Sequence, residues 1–337
     1  MTRLYLIRHA EAEGNIYRRM DGHYNSRITQ NGLRQIDALR QRFAEIPIDA
    51  VYASDLFRTR KTAEAICVPK GLPLRTDPRL REVLVGIWEN VPFGELERRW
   101  PAELACYSRS PENWHIAGAE SYEQYAGRFC EALTEIAEAH PGQSVAVFTH
   151  GCVLSGGLHR LIGLPHDASI SDNTAVSLLE YENGVFSPVF LFDNSHLSEA
   201  ISTRARQRWW KKQGGKFNLH YRAAGPEDAA LYDPAWGPGP GDRVWIALLE
   251  DEAVGYVSVA KTGPSALWLR PEYRHRRFGD QLLGQAVVRL RAEGIEVLNI
   301  GIPTANPEAL AFFARHCGNP VQMDDVYTVY RMEIGVK

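Results

Sequence analysis

Residues 4–11, LYLIRHAE, decide the fold of the first half of the chain. Four consecutive apolar residues, Leu4 to Ile7, predict a short buried strand of an α/β sheet. Arg8 and His9 follow this strand directly. Because ligands of such sheets bind beyond the carboxyl ends of the strands, Arg8 and His9 stand where a ligand is expected.

The same pattern recurs through the first half of the chain. Short apolar strands are predicted at residues 49–53 (DAVYA) and 145–149 (VAVFT), and amphipathic helices at 31–43, 62–66, 122–139 and 152–161. This alternation predicts a mostly parallel sheet with helices on both faces. Asn183-Gly184 predicts a hairpin turn between two further strands. His150 follows VAVFT as His9 follows LYLI, so both histidines are expected at one edge of the sheet.

Length and composition limit the classes of protein that need to be considered. A chain of 337 residues favours two domains, and its formal net charge of −3 provides no general attraction to nucleic acid or to an anionic membrane. No apolar run has the length of a signal peptide or a membrane span. The five cysteines form no CxxC pair, which argues against a disulfide framework and favours a cytoplasmic location.

Residues 198–216 differ in character from the rest of the chain. Basic residues surround Trp209-Trp210, and Gly214-Gly215 follows. Basic and aromatic residues together can bind single-stranded nucleic acid. The segment is short and isolated, however, so we interpret it as a solvated linker or linking helix and expect no nucleic-acid partner.

The strand and helix pattern restarts after this linker. Strands are predicted at residues 218–222, 244–249, 254–260, 267–269, 295–300 and 326–334, and helices at 280–292 and 307–315. These elements predict a second, smaller α/β domain. The predicted organisation is therefore a first domain over 1–197, a basic linker over 198–216 and a second domain over 217–337.

Four separated groups in the first domain carry chemistry suited to phosphoryl transfer. They are Arg8-His9 with Asn15, Ser54 to Arg58 with Thr59 and Thr62, Arg81-Glu82 with Gly86 to Glu89, and Thr149-His150-Gly151. A transferring phosphoryl group carries negative charge on its oxygens, which guanidinium groups and helix N-termini bind. A neutral imidazole can attack phosphorus, and a carboxylic acid can protonate the leaving group.

In this order, the groups resemble the histidine phosphatase superfamily, whose fold is phosphoglycerate mutase-like, over residues 1–197. The resemblance implies that His9 forms a phosphohistidine, that Glu82 is the general acid and that Arg8, Arg58 and His150 complete the catalytic set. It implies substrate binding by Arg8, Asn15, Gly22, Arg58, His150 and Gly151. The expected substrate is a small phosphorylated metabolite, and the expected reaction needs no cofactor.

Several alternatives remain open for this domain. Arg58 can instead pair with Asp55, and Glu82 with Arg79 or Arg81, as exposed charges often do. Mutases of the family carry a longer insertion after the acid, so the compact stretch from 82 to 121 favours a phosphatase over a mutase. The remaining histidines of this half lack metal-ligand spacing, so we predict no metal site.

The second domain has a resemblance of its own. Residues 267–283, LWLRPEYRHRRFGDQLL, resemble the turn and helix with which GCN5-related N-acetyltransferases (GNAT) bind acetyl-CoA. The resemblance covers residues 217–337 and implies acetyl-CoA binding by Leu269, Arg274, Arg276, Phe278, Gly279 and Asp280. Backbone N–H groups at such a helix start suit a pyrophosphate.

Two residues depart from the GNAT pattern. Arg277 stands at the position of a glycine, and Phe313 stands where many relatives have the tyrosine that protonates the thiolate. We therefore expect weak binding of acetyl-CoA and slow or absent acetyl transfer. The alternatives are a bifunctional enzyme and an acetyl-CoA sensor. The identity of the phosphorylated substrate and the oligomeric state are left open.

Overall fold

The computed structural model describes residues 1–166, 171–211, 216–234, 237–261 and 263–336 of the chain. It divides into two compact units. The first consists of Met1–Ala12, Met20–Val91 and Trp100–Lys212, and the second of Glu13–Arg19, Pro92–Arg99 and Gln213–Lys337. Residues 212–215 of the predicted linker lie outside the described part, and the predicted boundaries of the domains stay a prediction.

The helices and strands follow one another along both units. The helices are α1 (Glu13–Tyr17), α2 (Gln30–Arg42), α3 (Phe57–Lys70), α4 (Phe93–Arg99), α5 (Pro101–Arg109), α6 (Tyr122–Ala139), α7 (Gly151–Ile162), α8 (Thr203–Lys211), α9 (Phe278–Ala292) and α10 (Pro307–Cys317). The strands are β1 (Thr2–Arg8), β2 (Ala50–Ala53), β3 (Leu74–Thr76), β4 (Ser144–Thr149), β5 (Val176–Glu182), β6 (Val185–Asp193), β7 (His220–Ala223), β8 (Arg243–Leu249), β9 (Glu252–Ala260), β10 (Gly263–Leu269), β11 (Val297–Pro303), β12 (Gln322–Met323) and β13 (Tyr327–Glu333).

The first unit is built on a six-stranded mixed sheet in the order β3-β2-β4-β1-β5-β6. The first four strands of this order run parallel, while β5 and β6 are antiparallel to their neighbours. The predicted hairpin is confirmed between β5 and β6. Asn183 and Gly184 both have positive φ, at 51° and 83°, as a two-residue type I′ turn requires.

Helices cover both faces of this sheet, as the alternating pattern predicted. Tyr5 and Ile7 pack with α2 and α3 in one apolar core. Leu4 and Leu6 are fully buried and point to the opposite face, because side chains alternate along a strand. Helices α6 and α7 contact β1 and each other. The sheet is thus buried between two layers of helices.

Helix α6 begins and ends where its sequence indicates. Ser121 accepts a hydrogen bond from the backbone N–H of Gln124, whose side chain accepts one from the backbone N–H of Ser121. This reciprocal cap satisfies two N–H groups that the first turn leaves unpaired. The apolar face of the helix, from Tyr125 to Ile136, is buried.

The second unit contains two antiparallel sheets, in the orders β10-β9-β8-β7 and β11-β13-β12. Helix α9 packs against β9 and β10, and α10 against β13. The core of this unit is formed by apolar residues of α9 and of strands from both sheets. The helices and strands of this unit agree with the prediction of a smaller α/β domain in the second half of the chain.

Two short segments from the first half of the sequence belong to the second unit. Tyr17 of α1 is buried in its core and contacts α9, where a Cβ on Gly284 would lie 2.4 Å from the tyrosine ring. Glu13 accepts two hydrogen bonds of 2.9 Å from Arg291. On α4, Gly94 lies so close to Leu219 that a Cβ there would approach the Leu219 backbone to 2.5 Å.

No helix in the described ranges combines the length and the apolar character that a membrane span needs.

Candidate active site

His9 and His150 lie side by side at the carboxyl edge of the first sheet. Strands β1 and β4 are parallel neighbours, and Arg8 is in register with Thr149. The next residue on each strand is a histidine, and the two ring centroids are 5.2 Å apart. The structure thus brings together the two histidines that the sequence predicted at one edge.

The His9 ring is held in the form that a nucleophile needs. Its Nδ1 lies 2.8 Å from the carbonyl oxygen of Ala10, which can only accept, so Nδ1 carries the hydrogen. In the neutral ring, Nε2 therefore carries the lone pair. Burial, followed by the charges of Arg58 and Arg8, holds the pKa of His9 well below its ordinary value. The ring is consequently neutral at physiological pH.

Arg58 extends from α3 into the site and is 1 % exposed. Its Nε donates to Nδ1 of His150 at 3.1 Å, and its Nη1 and Nη2 donate to the carbonyl oxygens of Tyr24 and Gly22 at 2.9 and 2.7 Å. Three of the five N–H groups of the guanidinium are thereby used, which leaves two for an anion. No carboxylate among the described residues accepts a hydrogen bond from this buried cation.

The structure does not contain the alternative ion pairs of Arg58 with Asp55 or of Glu82 with Arg79 or Arg81. Asp55 pairs with Arg81, through bonds of 2.6 and 2.5 Å, and not with Arg58. Arg79 pairs with Asp77 and with Glu135. Both arginines that the sequence offered as partners of Glu82 therefore pair with other carboxylates.

Arg8 and Gly151 are fitted to each other. The Nη1 of Arg8 donates to the carbonyl oxygen of Ser171 at 2.6 Å, while its Nε is buried without a hydrogen-bond partner in the described part of the chain. A Cβ on Gly151 would lie 3.3 Å from both Nε and Cζ of Arg8. Glycine at the first position of α7 thus gives the guanidinium room, and a buried N–H remains for an anionic ligand.

His150 is fully buried, and both of its ring nitrogens have protein partners. Because arginine only donates, Nδ1 accepts from Arg58, and Nε2 carries the hydrogen that it donates to Oγ of Ser54 at 2.9 Å. Burial, then the charges of Arg58 and His9, holds the pKa of His150 well below its ordinary value. The ring therefore presents one N–H, which at present binds Ser54.

Glu82 occupies the N-terminus of α7. Its carboxylate accepts from the backbone N–H groups of Cys152 and Val153 at 3.1 and 2.8 Å. In this structure these two backbone N–H groups are therefore bonded to Glu82, and binding of the phosphoryl group by this helix N-terminus stays a prediction. A carboxylate competes well for a helix N-terminus, since the amides are unpaired there and the dipole favours negative charge.

Gly22 and Asn15, two further predicted substrate-binding residues, lie in different surroundings. Gly22 has a positive φ of 51°, and a Cβ there would meet the Glu89 carboxylate at 2.2 Å. Its carbonyl oxygen binds Arg58, so in this structure Gly22 contributes by positioning that side chain. Asn15 lies on α1, which belongs to the second unit, and its role as a phosphate ligand stays a prediction.

Sequence reasoning assigned no role to several residues that support this site. Ser54 binds His150, Thr62 accepts from the backbone N–H of Ala10 at 2.9 Å, and the side chain of Asn173 donates to the carbonyl oxygen of His9 at 2.9 Å. Glu89 accepts from the backbone N–H groups of His23 and Tyr24. Ser54, Thr62 and Glu89 stand inside the quoted motifs, whereas no sequence pattern marked Asn173.

The predicted acetyl-CoA turn of the second unit contains a strained arginine. Arg277 has a φ of 66°, a left-handed conformation that suits glycine, and it precedes α9. Its Nη1 lies 3.4 Å from the carboxylate of Asp280. Burial would raise the pKa of Asp280, but His316, bonded to it at 2.9 Å, and Arg277 hold it below its usual value. A buried carboxylate thus stands at the start of the helix.

The other predicted cofactor residues are engaged within the second unit. Arg274 donates to the carbonyl oxygen of Leu269, the last residue of β10, and Arg276 lies over the rings of Tyr273 and Phe278. Phe278 itself is a core residue, and a Cβ on Gly279 would lie 3.0 Å from Phe312. These residues lie close together around the start of α9, and their binding of a cofactor stays a prediction.

Phe313 is also a core residue. Its ring lies 6.3 Å from that of Tyr330. The side chain that stands at the tyrosine position of the family is therefore apolar and largely buried.

Comparison with known proteins agrees with both resemblances. The histidine phosphatase superfamily (branch 1) matches residues 4–194, and the acetyltransferase (GNAT) family matches residues 208–318. A probable phosphoglycerate mutase, GpmB, of Yersinia pestis (strain Pestoides F) is 34% identical over 188 residues, which are 54% of this chain and 86% of that protein.

Solved structures are similar over the same half of the chain. YhfR of Bacillus stearothermophilus is 30% identical, with a TM-score of 0.56, and the match covers 59% of this chain and all of that one. A putative alpha-ribazole-5'-P phosphatase of Escherichia coli str. K-12 is 25% identical, with a TM-score of 0.51 over 57% of this chain and 96% of that one. The similar proteins thus include a putative phosphatase and a probable mutase.

Proposed function

The chain belongs to the histidine phosphatase superfamily, and from this premise we propose that its N-terminal part hydrolyses a small phosphomonoester through a phosphohistidine on His9. The observation that carries the proposal is the neutral, buried His9 ring beside two guanidinium groups that retain unused N–H donors. Such a site matches an imidazole nucleophile to a group with charge on its outer oxygens.

In the first step, the Nε2 lone pair of His9 forms a bond to phosphorus, and the bond from phosphorus to the ester oxygen breaks. The remaining N–H groups of Arg58 and the Nε of Arg8 bind the outer oxygens, whose charge grows in the transition state. The N–H of His150 exchanges Ser54 for one of these oxygens. Glu82, which first takes up a proton from the substrate monoanion, gives this proton to the leaving oxygen, so that an alcohol departs.

In the second step, water attacks the phosphorus of the phosphohistidine. Glu82, now a carboxylate, takes a proton from this water, and the bond from phosphorus to Nε2 breaks. Inorganic phosphate leaves, and His9 returns to its neutral form with Nδ1 still bonded to the carbonyl oxygen of Ala10. Neither step requires a cofactor, which is what the family resemblance implies.

The direct test is phosphate release from an aryl phosphate in a buffer with chelator. We expect turnover by the wild type and none by His9→Ala. His115→Ala is the matched control, because His115 is an exposed histidine of the same unit.

A second experiment tests the intermediate. Rapid acid quench of labelled enzyme would destroy a phosphohistidine, while base quench would preserve it. An adduct with the opposite stability would overturn the assignment of His9.

A mutase is the second candidate, because one relative is named a probable phosphoglycerate mutase. A mutase returns the phosphoryl group to a bound intermediate instead of passing it to water. Supplying 3-phosphoglycerate, with and without a bisphosphorylated primer, separates the two reactions. Release of inorganic phosphate supports the phosphatase, whereas conversion to 2-phosphoglycerate without release supports the mutase.

For the second unit, we propose weak binding of acetyl-CoA and slow or absent acetyl transfer. The helix start at Phe278 and the cation of Arg277 favour an anionic ligand, while the buried Asp280 carboxylate opposes one. Phe313 has no proton to give a departing thiolate. Calorimetry with CoA on the full chain tests the binding, and no heat at millimolar ligand would contradict it.

The compartment is part of the same proposal. All five cysteines are free thiols, which supports a reducing environment and the expected cytoplasmic location.

A further inference from the structure

Two histidines and a glutamate, far apart in the sequence, converge on the surface of the first unit. Glu112 follows α5, His159 lies in the last turn of α7, and His166 lies just beyond that helix. One potential ligand atom from each residue falls within 4.8 Å of the other two. The sequence predicted no metal site, because the histidines of this half lack metal-ligand spacing. Spacing along the chain cannot reveal that Glu112, from a distant segment, lies beside His159 and His166.

The orientation of His159 leaves a lone pair facing this cluster. Its Nδ1 lies 2.9 Å from the carbonyl oxygen of Leu164, so Nδ1 carries the hydrogen and the neutral ring has its lone pair on Nε2. That Nε2 lies 3.7 Å from Oε1 of Glu112. A lone pair and a carboxylate oxygen repel each other unless a proton or a metal ion lies between them. A second-sphere carbonyl that fixes the ring in this way is typical of metal-ligating histidines.

His166 directs its Nε2 to the same carboxylate oxygen, at 2.6 Å. The two imidazole rings are stacked, with centroids 3.9 Å apart and planes 22° apart. The ring of Tyr122 contacts both edge-on, with centroids at 6.0 and 5.8 Å. The two rings are therefore held against each other by a third side chain, with both Nε2 atoms close to Glu112.

We propose that Glu112, His159 and His166 bind a Zn²⁺ ion through two imidazole nitrogens and one carboxylate oxygen. Zinc takes this donor set at about 2.0–2.2 Å, with water in the fourth position of a tetrahedron. Bonds of that length separate the ligand atoms by roughly 3.4 Å. The His166 and Glu112 atoms, now 2.6 Å apart, must therefore separate, and the stacked rings must turn until both planes contain the ion. Mg²⁺ prefers oxygen ligands and is a poor match for two imidazoles.

Bound zinc would join two parts of the first unit that the backbone connects only through a long path. Glu112 is next to Pro111, which is buried, and His159 is part of α7. The ion would therefore fix the segment after α5 to the end of α7. It takes no part in the proposed phosphoryl transfer, whose residues lie at the opposite, N-terminal end of that helix.

The test is titration of the chelator-treated full chain with Zn²⁺, followed by calorimetry, with Mg²⁺ in a parallel run. We expect one zinc to bind in wild type and in His115→Ala, an exposed histidine of the same segment. His159→Ala and His166→Ala should weaken this binding by at least about 100-fold, since even indirect partners of a metal are worth about 10–100-fold. Zinc bound instead by His9 or His150 would still bind to these variants, so the two sites can be told apart.

A second measurement separates lost binding from lost folding. Zinc should raise the melting temperature of wild type and not that of Glu112→Gln, because a ligand stabilises the fold that binds it. All variants should retain phosphate release in chelator. Equal zinc affinity in wild type and His159→Ala, or absence of zinc binding in wild type with intact folding, would overturn the proposal.

Discussion

The Nε of Arg58 donates a hydrogen bond to Nδ1 of His150 at 3.1 Å, so one guanidinium fixes the tautomer of a neighbouring ring. The same side chain binds two backbone carbonyls and retains two N–H groups. Arg58 is therefore both a candidate ligand of the phosphoryl group and the residue that sets which nitrogen of His150 carries a hydrogen.

Arg58→Lys should remove most of the phosphatase activity without unfolding the protein. The planar guanidinium of Arg58 reaches His150 and two backbone carbonyls at once. The compact ammonium group of lysine cannot make all three contacts. The loss of transition-state donors should reduce kcat by about 10²–10³-fold. Steady-state kinetics with an aryl phosphate, alongside circular dichroism, measures this, and Arg34→Lys on the exposed side of α2 is the control. Near-normal kcat in Arg58→Lys would mean that Arg58 does not contact the transferring group.

Stability should fall as the pH drops through about 6.5, because His9 and His150 are held neutral in the fold. Their pKa values lie well below the ordinary 6.5, so the unfolded chain binds protons there that the folded chain does not. Urea unfolding at pH 7.5 and 5.5 gives the difference. His9→Gln should reduce this difference, since glutamine does not titrate, while His115→Ala should leave it unchanged. An identical pH dependence in His9→Gln would contradict the lowered pKa.

Glu82→Gln should affect poor leaving groups more than good ones. Glutamine can still accept from one of the amides at the start of α7, but it cannot supply a proton. For an alkyl phosphate we expect turnover to fall by about 10²–10⁴-fold, and formation of the intermediate from an aryl phosphate to fall less. Single-turnover kinetics with both substrates tests this. Equal losses would show that Glu82 acts by capping α7 and not as the acid.

Arg277→Gly should stabilise the second unit. The residue has a φ of 66°, a conformation that costs a non-glycine residue about 1 kcal/mol and that glycine adopts freely. Urea unfolding should therefore show a free energy of unfolding higher by roughly 1 kcal/mol. Arg276→Gly, one position earlier and not among the residues with positive φ, is the matched control and should lower stability. A lower stability for Arg277→Gly would mean that the contact with Asp280 outweighs the strain.

Residues 217–337 alone should be less stable than the same residues in the full chain. Without α1, the ring of Tyr17 leaves the core beside Gly284, and Arg291 loses its two bonds to Glu13. Tyr17→Ala in the full chain should cost about 3 kcal/mol, as for other large aromatic residues removed from a core. Thermal unfolding of both proteins measures this. An isolated 217–337 that melts at the temperature of the full chain would contradict the packing described.

The sequence predicted well those features that depend on local pattern. The apolar run before His9 predicts a strand, the amphipathic pattern over 122–139 predicts a helix and Asn183-Gly184 predicts a turn, and each is present. The adjacency of His9 and His150 also followed, because parallel strands end at a common edge.

Contacts between segments that are distant in the sequence could not be predicted from it. Nothing local to α1 indicates that Tyr17 is buried with α9, since an apolar side chain is equally compatible with either core. Glu82 was recognised as a carboxylate near the site, but its bonds to the amides of α7 depend on how two distant segments meet. The approach of Glu112 to two histidines has the same origin.

The assignment of α1 and α4 to the second unit limits how this gene can be taken apart or reused. Domain shuffling treats a protein as modules that recombination at a linker can exchange intact. Here a break at residues 198–216 would separate the GNAT-like fold from Glu13–Arg19 and Pro92–Arg99, which are encoded within the phosphatase half. A chain cut at this linker would therefore lack two segments of its second compact unit.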